Sequence, residues 1–267
     1  MNSIKKMMLS GALGCLISGM AYADGSSPQP VKPYWQDIQV VAVNKEKPRS
    51  SFMSYADRET ALTSRFEKSP YYSLLNGTWK FFFVDSYKDL PQNITDPSVN
   101  TSSWDDITVP GNWEVQGHGV AIYTNHGYEF KPRNPQPPLL PEANPVGVYR
   151  RDIEIPASWD NRDIYLHIGG AKSGLYVYLN GKEVGYSEDS KNPAEFLINK
   201  YLQPGKNVLT LKIFRWSTGS YLECQDFWRM SGIERDVFLW SQPKASIQDF
   251  RVVSTLDDTY TNGIFKL

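Results

Sequence analysis

Residues 175–186 read LYVYLNGKEVGY and carry the clearest structural pattern in the sequence. Leu175, Val177 and Leu179 occupy alternate positions, which is the period of a β-strand with one apolar face. Asn180-Gly181 follows directly, and both residue types accept the positive φ angles of a two-residue type I′ turn. The stretch therefore predicts a β-hairpin whose first strand buries its aliphatic side chains.

The same alternation occurs in two other segments. It puts Ile164, Leu166 and Ile168 on one face of the first, and Leu209, Leu211 and Ile213 on one face of the second. Pro204-Gly205 supplies a turn before the second segment. Because short strands follow one another without helices between them, we expect an all-β protein, built as a two-sheet antiparallel β-sandwich. The predicted sandwich is a jelly roll over residues 71–242.

The segments on either side of this domain differ from it in composition. Residues 24–70 are rich in proline and polar residues, with Trp35 as an isolated anchor, and predict an extended N-terminal arm. A short helix is predicted from Asp57 to Phe66, since Asp57 can cap its first turn. Residues 243–267 predict a strand around Ile247, Phe250 and Val252, a turn at Asp257-Asp258 and the beginning of a partner strand. A fragment of two strands is marginal alone, so we expect the truncated start of a second β-sandwich here.

The first residues predict export. Lys5 and Lys6 precede an apolar run, and Ala21-Tyr22-Ala23 offers a cleavage site with small residues. We interpret residues 1–23 as a signal peptide, which predicts a periplasmic or secreted protein. A membrane anchor is the alternative, although the run is short for a span and is interrupted by glycine and serine.

Cys15, inside that run, leaves a lipoprotein as a further alternative. The residues before it lack the usual leucine three positions upstream, and apolar residues continue after it. If Cys15 is removed with the signal, Cys224 is the one cysteine of the mature chain, so no intramolecular disulfide can form.

The overall composition is that of a globular protein. Among the 267 residues, 40% are hydrophobic and 21% are charged, which suffices for a full core. The formal net charge of −1 gives no basic surface, so nucleic acid is not an expected partner.

Most of the candidate chemistry falls in residues 220–236, SYLECQDFWRMSGIERD. Glu223 and Asp226 could form the carboxylate pair that a glycosidase needs, one to protonate the leaving oxygen and one to attack or to activate water. Acids with this spacing also occur as structural ion pairs, and several arginines lie nearby. Ion pairs with arginines are the interpretation for Glu223, Glu234 and Asp236. Asp226 stands before Phe227-Trp228. A carboxylate beside aromatic rings could bind a sugar, but aromatic residues are also common in a packed core, so both interpretations stay open.

Histidine and cysteine give no pattern of their own. His118, His126 and His167 lack metal-ligand spacing, and no histidine stands near Cys224 in the sequence to activate it. A structural or solvated role is the interpretation for the three histidines.

Several motifs resemble, in order and spacing, the amino-terminal part of the family-two β-galactosidases. They are Val109-Pro-Gly-Asn-Trp-Glu114, Ile122-Tyr-Thr-Asn125, Asn144-Pro-Val-Gly-Val-Tyr149, Asn180-Gly-Lys-Glu-Val-Gly-Tyr186, and the segments 185–196 and 215–233. The resemblance extends from about Trp35 to Leu267. It implies a galactose-binding-domain-like jelly roll at residues 71–242, followed at residues 243–267 by the start of an immunoglobulin-like domain.

The resemblance also implies functional roles. In that family the catalytic glutamates belong to a barrel further along the chain, so Glu223 and Asp226 are not the hydrolytic pair. Asn125 matches a position that contacts the galactoside, and Asp226 matches a carboxylate that contacts sugar hydroxyls and helps to hold a sodium ion. A divalent cation and a homo-oligomer are expected for the full-length enzyme alone. Cys224 departs from the acid often found at its position, which alters the surroundings of Asp226.

Three hypotheses follow from the sequence. The first is the amino-terminal portion of an exported β-galactosidase, acting on β-galactosides such as lactose, with the remaining domains encoded downstream. This chain alone would then be inactive. The second is a free-standing carbohydrate-binding module, and the third is an inactive remnant with no role.

Overall fold

The computed structural model describes residues 32–130, 134–223 and 225–267, which form one α-helix and eighteen strands. Helix α1 spans Arg58–Leu62. The strands are β1 (Ala42–Val43), β2 (Tyr72–Leu74), β3 (Gly77–Val84), β4 (Asp105–Val109), β5 (Gly111–Asn112), β6 (Ile122–Thr124), β7 (Val146–Glu154), β8 (Arg162–Ile168), β9 (Ala171–Lys172), β10 (Gly174–Leu179), β11 (Lys182–Ser187), β12 (Ala194–Leu197), β13 (Lys206–Phe214), β14 (Phe227–Arg229), β15 (Gly232–Ile233), β16 (Val237–Pro243), β17 (Val253–Leu256) and β18 (Gly263–Lys266). Short 3-10 helices lie at Tyr34–Gln36, Phe66–Lys68, Tyr87–Asp89, Glu114–Gln116, Ala157–Trp159, Asn199–Tyr201 and Thr218–Tyr221. The predicted signal peptide and both cysteines, Cys15 and Cys224, lie outside the described residues.

Two antiparallel sheets enclose the main core. The larger has the strand order β1-β11-β10-β13-β7-β3-β4, and the smaller has the order β12-β8-β16-β2. Their facing side chains form one cluster of buried residues, which includes Phe81, Tyr149, Val177 and Leu211 from the larger sheet and Leu166, Phe196 and Leu239 from the smaller. The predicted all-β sandwich is confirmed. The finer assignment as a jelly roll and the domain limits at residues 71 and 242 stay predictions.

The predicted hairpin is formed by β10 and β11. Leu179 pairs with Lys182 across Asn180 and Gly181, whose φ angles are 52° and 77°. Both residues are therefore left-handed, as a type I′ turn requires. Side-chain hydrogen bonds also favour asparagine at position 180, because Asn180 Oδ1 accepts from Val208 N and Asn180 Nδ2 donates to Asn207 Oδ1.

The described part of the arm, residues 32–70, packs on the outer faces of both sheets. Trp35 is 1% exposed and stacks on Phe214 of the larger sheet, with ring centroids 5.0 Å apart. Met53 belongs to a separate cluster with Phe238 and Trp240 on the outer face of the smaller sheet. Glu195 ties the arm to that face by accepting two hydrogen bonds from Arg49, both at 3.0 Å.

Helix α1 is shorter than the sequence predicts. Asp57 caps it as expected, its Oδ1 accepting from Thr60 N at 2.7 Å. The helix ends at Leu62 because Ser64 has a φ of 54°, outside the right-handed helical region. Phe66 instead begins a separate 3-10 helix.

At the carboxyl end, β17 pairs with β18 in an antiparallel hairpin. The turn at Asp257 is confirmed, since Asp257 Oδ1 accepts from the backbone N–H groups of Thr259 and Thr261. The predicted strand at residues 247–252 is wrong. The arm contacts part of that segment, through Ser50 N donating to Asp249 Oδ1 and the Phe52 ring 5.5 Å from Phe250, and the strand begins at Val253. Whether these residues begin an immunoglobulin-like domain stays a prediction.

Candidate functional site

A short ribbon of two strands brings the two predicted site residues together. In it β6 pairs with β14 so that Thr124 lies opposite Phe227. Asn125 directly follows β6, and Asp226 directly precedes β14. Because the strands are antiparallel, the two residues lie side by side at one end of the ribbon.

Both side chains are exposed, and each has a neighbour that orients it. Tyr123 donates its hydroxyl to Asp226 Oδ1 at 2.7 Å. This bond to a carboxylate raises the pKa of Tyr123, so the hydroxyl stays a donor. Asn125 Oδ1 accepts from His126 Nδ1 at 2.7 Å. The ribbon end therefore presents a carboxylate and an amide in fixed positions toward solvent.

An aromatic pair stands beside Asp226. Tyr123 and Trp228 are directly opposite in the ribbon, with ring centroids 5.7 Å apart, and are 56% and 53% exposed. Cross-strand aromatic pairs stabilise a ribbon, and exposed rings can stack on the apolar face of a sugar. Tyr123 is not among the residues predicted from the sequence, although it stands in the same Ile-Tyr-Thr-Asn motif as Asn125.

Two buried arginines hold the ribbon: Arg215 joins it to the end of β13, and Arg229 bonds across its two strands. Arg215 Nη2 donates to Val120 O and to Arg229 O, and its Nη1 lies 3.4 Å from the Glu114 carboxylate. Burial raises the pKa of Glu114, although hydrogen bonds from Ser231 and the charge of Arg215 oppose the shift. Arg229 Nη2 donates to Thr124 O, and Arg229 Nε lies 3.8 Å from Glu129 Oε2. Removing one partner from such a buried pair is strongly destabilising.

Three cations surround the ring of Phe227, the residue after Asp226. Lys172, Lys191 and Arg229 lie 5.1, 5.4 and 4.8 Å from its centroid. Lys172 is 4% exposed, and burial lowers its pKa. No sequence pattern predicts Lys172, because β9 is far from Phe227 along the chain.

The predicted ion pairs with arginines are wrong. Glu223 accepts instead from Ser190, at 2.9 Å from N and 2.6 Å from Oγ, Glu234 pairs with Lys191, and Asp236 accepts from Asn76. The nearby arginines have other partners, such as the backbone carbonyls that Arg215 and Arg235 bond. Burial raises the pKa of Glu223, and the hydrogen bonds from Ser190 oppose this shift.

His118 and His167 take part in packing, and His126 is exposed beside Asn125. His167 stacks on Phe238 with ring centroids 4.1 Å apart and donates from Nδ1 to Glu195 Oε1. His118 packs edge-on against Phe81. Within the described ranges, no three His, Cys, Asp or Glu side chains are grouped so that they could hold a metal ion. Asp226 would fit a sodium ion as one oxygen ligand among others, since hard cations prefer oxygen.

A separate cavity of about 370 Å³ lies between the arm and the smaller sheet. Its wall includes Phe52, His167, Asp189, Glu195 and Phe238. Neither residue of the ribbon end lines it. In addition, no helix of the part of the chain that the structure describes is long and apolar enough to cross a membrane.

Comparison with known proteins identifies the ribbon and sandwich together. Residues 72–243 match the family model described as "Glycosyl hydrolases family 2, sugar binding domain". The chain is 41% identical over 234 residues to a β-galactosidase of Priestia megaterium, covering 86% of this chain and 23% of that protein. It is 39% identical over 234 residues to a β-galactosidase of Actinobacillus pleuropneumoniae, covering 88% and 22%. The chain thus spans less than a quarter of the length of these relatives.

Among solved structures, a β-glucuronidase from an uncultured Clostridium sp. shares the fold, with a TM-score of 0.50 and 21% identity. The alignment covers 70% of this chain and 31% of that one. The likeness agrees with the β-sandwich described above. The chain belongs to glycoside hydrolase family 2 and contains the sugar-binding domain of that family.

Proposed function

We propose that this chain is the amino-terminal portion of an exported β-galactosidase, an enzyme that hydrolyses terminal non-reducing β-D-galactose residues. In this proposal the chain contributes Asn125 and Asp226 to galactoside binding, and lactose is a representative substrate. The catalytic barrel belongs to the remainder of the parent enzyme, so the chain alone has no turnover. The support is that the relatives described above are β-galactosidases and that the chain spans a small part of them.

The observation that carries the proposal is the ribbon end. An ionised carboxylate accepts hydrogen bonds from two sugar hydroxyls, and a side-chain amide both donates and accepts. Tyr123 fixes Asp226 Oδ1 at 2.7 Å, which reduces the side-chain freedom lost when a sugar binds. The exposed rings of Tyr123 and Trp228 lie beside these polar groups. Asp226 also supplies one oxygen ligand for a sodium ion, whose charge would attract further sugar hydroxyl oxygens.

The proposal is tested by titrating methyl β-D-galactopyranoside into the purified chain and following backbone amide signals by NMR. We expect weak saturable binding, with a Kd on the order of 1 mM, because one wall of a site offers few contacts. Asp226→Ala should weaken binding about tenfold or more, since each lost hydrogen bond to a charged group contributes about 1.5 kcal/mol or more. Asp106→Ala is the matched control, because Asp106 is an exposed carboxylate on β4 that pairs with Lys80.

The outcome that would contradict the proposal is equal affinity of the parent chain and the Asp226→Ala variant. Absence of any binding at high sugar concentration would favour an inactive remnant. An aryl β-galactoside offered to the same preparation should give no product. Turnover that survives removal of every host glycosidase would show that the assignment of the catalytic residues to another part of the enzyme is wrong.

A free-standing carbohydrate-binding module is the second candidate. The exposed aromatic pair Tyr123 and Trp228 favours it, because sugar-binding modules use such rings for stacking. A Kd far below the millimolar range for the isolated chain would support this candidate. The weak binding expected above would favour a wall of a larger site.

A further inference from the structure

Lys172 is a buried residue whose ammonium group has no charged partner at contact distance in the described part of the chain. It lies on β9, is 4% exposed, and makes no ion pair or hydrogen bond through Nζ with residues 32–130, 134–223 or 225–267. Nζ lies 5.1 Å from the centroid of the Phe227 ring. The other two cations at that ring differ from it, since Lys191 pairs with Glu234 and Arg229 lies near Glu129.

Such a group destabilises a fold unless something else compensates. Moving an ammonium ion out of water carries a large desolvation penalty, and burial accordingly lowers the pKa of Lys172. The carboxylates of Glu129 and Glu223 act on it favourably, whereas Lys191 and Arg229 oppose them. A methionine would fill the same volume without a charge to desolvate. The lysine is therefore poorly explained by packing alone. Unlike Lys191 and Arg229 at the same ring, it has no carboxylate within ion-pair distance among the described residues.

Lys172 is connected to the ribbon through its backbone and through its side chain. Its backbone pairs with Gly232 of β15, which follows β14 after only Met230 and Ser231. Its ammonium group faces the ring of Phe227, the first residue of β14. Asp226 directly precedes Phe227, so one peptide unit links the placement of this ring to the placement of the carboxylate.

We propose that Lys172 is a positioning residue, whose ammonium group holds the Phe227 ring by a cation–π contact and thereby fixes the Asp226 carboxylate at the ribbon end. The part that concerns sugar binding rests on the proposed function. The part that concerns the ribbon does not, and it can be measured in the absence of any sugar.

The experiment compares the full chain with Lys172→Met, Lys172→Arg and Lys212→Met. Lys212 is the matched control, because burial lowers its pKa as well and its Nζ lies 4.8 Å from the Tyr176 ring, on a strand outside the ribbon. Hydrogen exchange measured by mass spectrometry on a peptide covering residues 225–230 reports on the ribbon. Thermal unfolding reports on the whole fold, and NMR titration of methyl β-D-galactopyranoside reports on the site.

We expect Lys172→Met to keep or raise the melting temperature. Hydrogen exchange in residues 225–230 should become about tenfold faster, because loss of a desolvated cation–π contact changes an equilibrium by about that factor. Sugar affinity should fall by a similar factor, Lys172→Arg should restore most of both properties, and Lys212→Met should change neither. An unchanged exchange rate in Lys172→Met would overturn the proposal. So would an equal loss of exchange protection and sugar affinity in Lys172→Met and Lys172→Arg. Faster exchange with unaltered sugar affinity would overturn it as well. If the parent chain binds no galactoside, the proposed function fails, whereas faster exchange in Lys172→Met still supports the positioning of the ribbon.

Discussion

Glu195 shows how much one side chain contributes to holding the arm. Its carboxylate is 12% exposed and accepts from Arg49, from His167 Nδ1 at 2.8 Å and from Trp240 Nε1 at 3.0 Å. Burial alone would raise the pKa of Glu195, but the donors His167 and Arg49 outweigh burial and lower the pKa below its ordinary value of 4.5. The ionised form is therefore the one that the fold favours.

This shift predicts a defined dependence of stability on pH. Because the folded-state pKa of Glu195 is lowered, its contribution is present above the unfolded value near 4.5 and is lost as the pH falls through the folded value. Glu195→Gln should reduce the free energy of unfolding by about 3 kcal/mol at pH 7 and should flatten the acid limb of the pH profile. Urea unfolding between pH 7 and pH 3 measures both effects. Glu142→Gln, at an exposed pair with Lys88, should behave as the parent, and an unaltered acid limb in Glu195→Gln would contradict the assignment.

Site residues could be predicted from sequence only where a local motif carried them. Asn125 and Asp226 stand in recognisable motifs, and the structure brings them side by side. The roles of Tyr123 and Lys172 depend on strand pairing between distant segments, which no local pattern encodes. Glu223 was misassigned for a related reason, since the donors that it uses belong to Ser190 on another loop.

At the scale of elements, the hairpin between β10 and β11 depends on its turn residues Asn180 and Gly181. Gly181 has a φ of 77°, and a Cβ atom added to it would lie 3.0 Å from Pro97 Cδ. Gly205 has nearly the same φ, 76°, but no atom within 4 Å of such a Cβ. Substitution at Gly205 therefore measures backbone strain alone, whereas substitution at Gly181 measures backbone strain together with a steric contact.

We expect Gly181→Ala to lower the free energy of unfolding by more than the roughly 1 to 2 kcal/mol that a left-handed alanine costs. Gly205→Ala should lower the free energy of unfolding only by the cost of the left-handed backbone. Chemical unfolding of both variants measures the difference. Equal losses would mean that the contact with Pro97 relaxes freely.

Alternating apolar residues predicted the strands of the sandwich because each of these strands has one face in the main core. The same pattern failed at residues 247–252, where the arm occupies part of the segment by bonding Asp249 and packing Phe52 on Phe250. Ile247, Phe250 and Val252 are all exposed, so the apolar residues of this segment do not mark a strand face buried in the sandwich. Helix α1 ended early for another local reason, the left-handed Ser64.

At the scale of the whole chain, the arm is what joins the outer surfaces of the two sheets. Trp35 lies on the larger sheet and Met53 on the smaller, so the intervening residues pass from one outer face to the other. The sequence predicted an extended arm with Trp35 as an anchor. It could not predict the surfaces that the arm covers, because these are assembled from strands far apart in sequence.

The arm also has a defined beginning if the proposed export is right. We expect the chain expressed with its full N-terminus in a bacterial host to appear outside the cytoplasm with a mass that begins at Asp24. Replacing Lys5 and Lys6 by glutamate should retain the uncleaved chain in the cytoplasm, because the charged region before the apolar run directs insertion. Intact-mass analysis of each cell fraction measures this. A lipid-modified cysteine at the mature N-terminus would favour the lipoprotein alternative, and an uncleaved exported chain would favour the anchor.

The bond between Tyr123 and Asp226 joins residues 103 positions apart, and strands β7 to β13 lie in the loop that it closes. Loop closure over such a distance is favourable only after the intervening strands have ordered. The ribbon end is therefore also a reporter of folding, since Asn125 and Asp226 meet only in a molecule whose sandwich is assembled. Under the proposed function, a galactose matrix should retard correctly folded molecules, and chains interrupted before Asp226 should elute first.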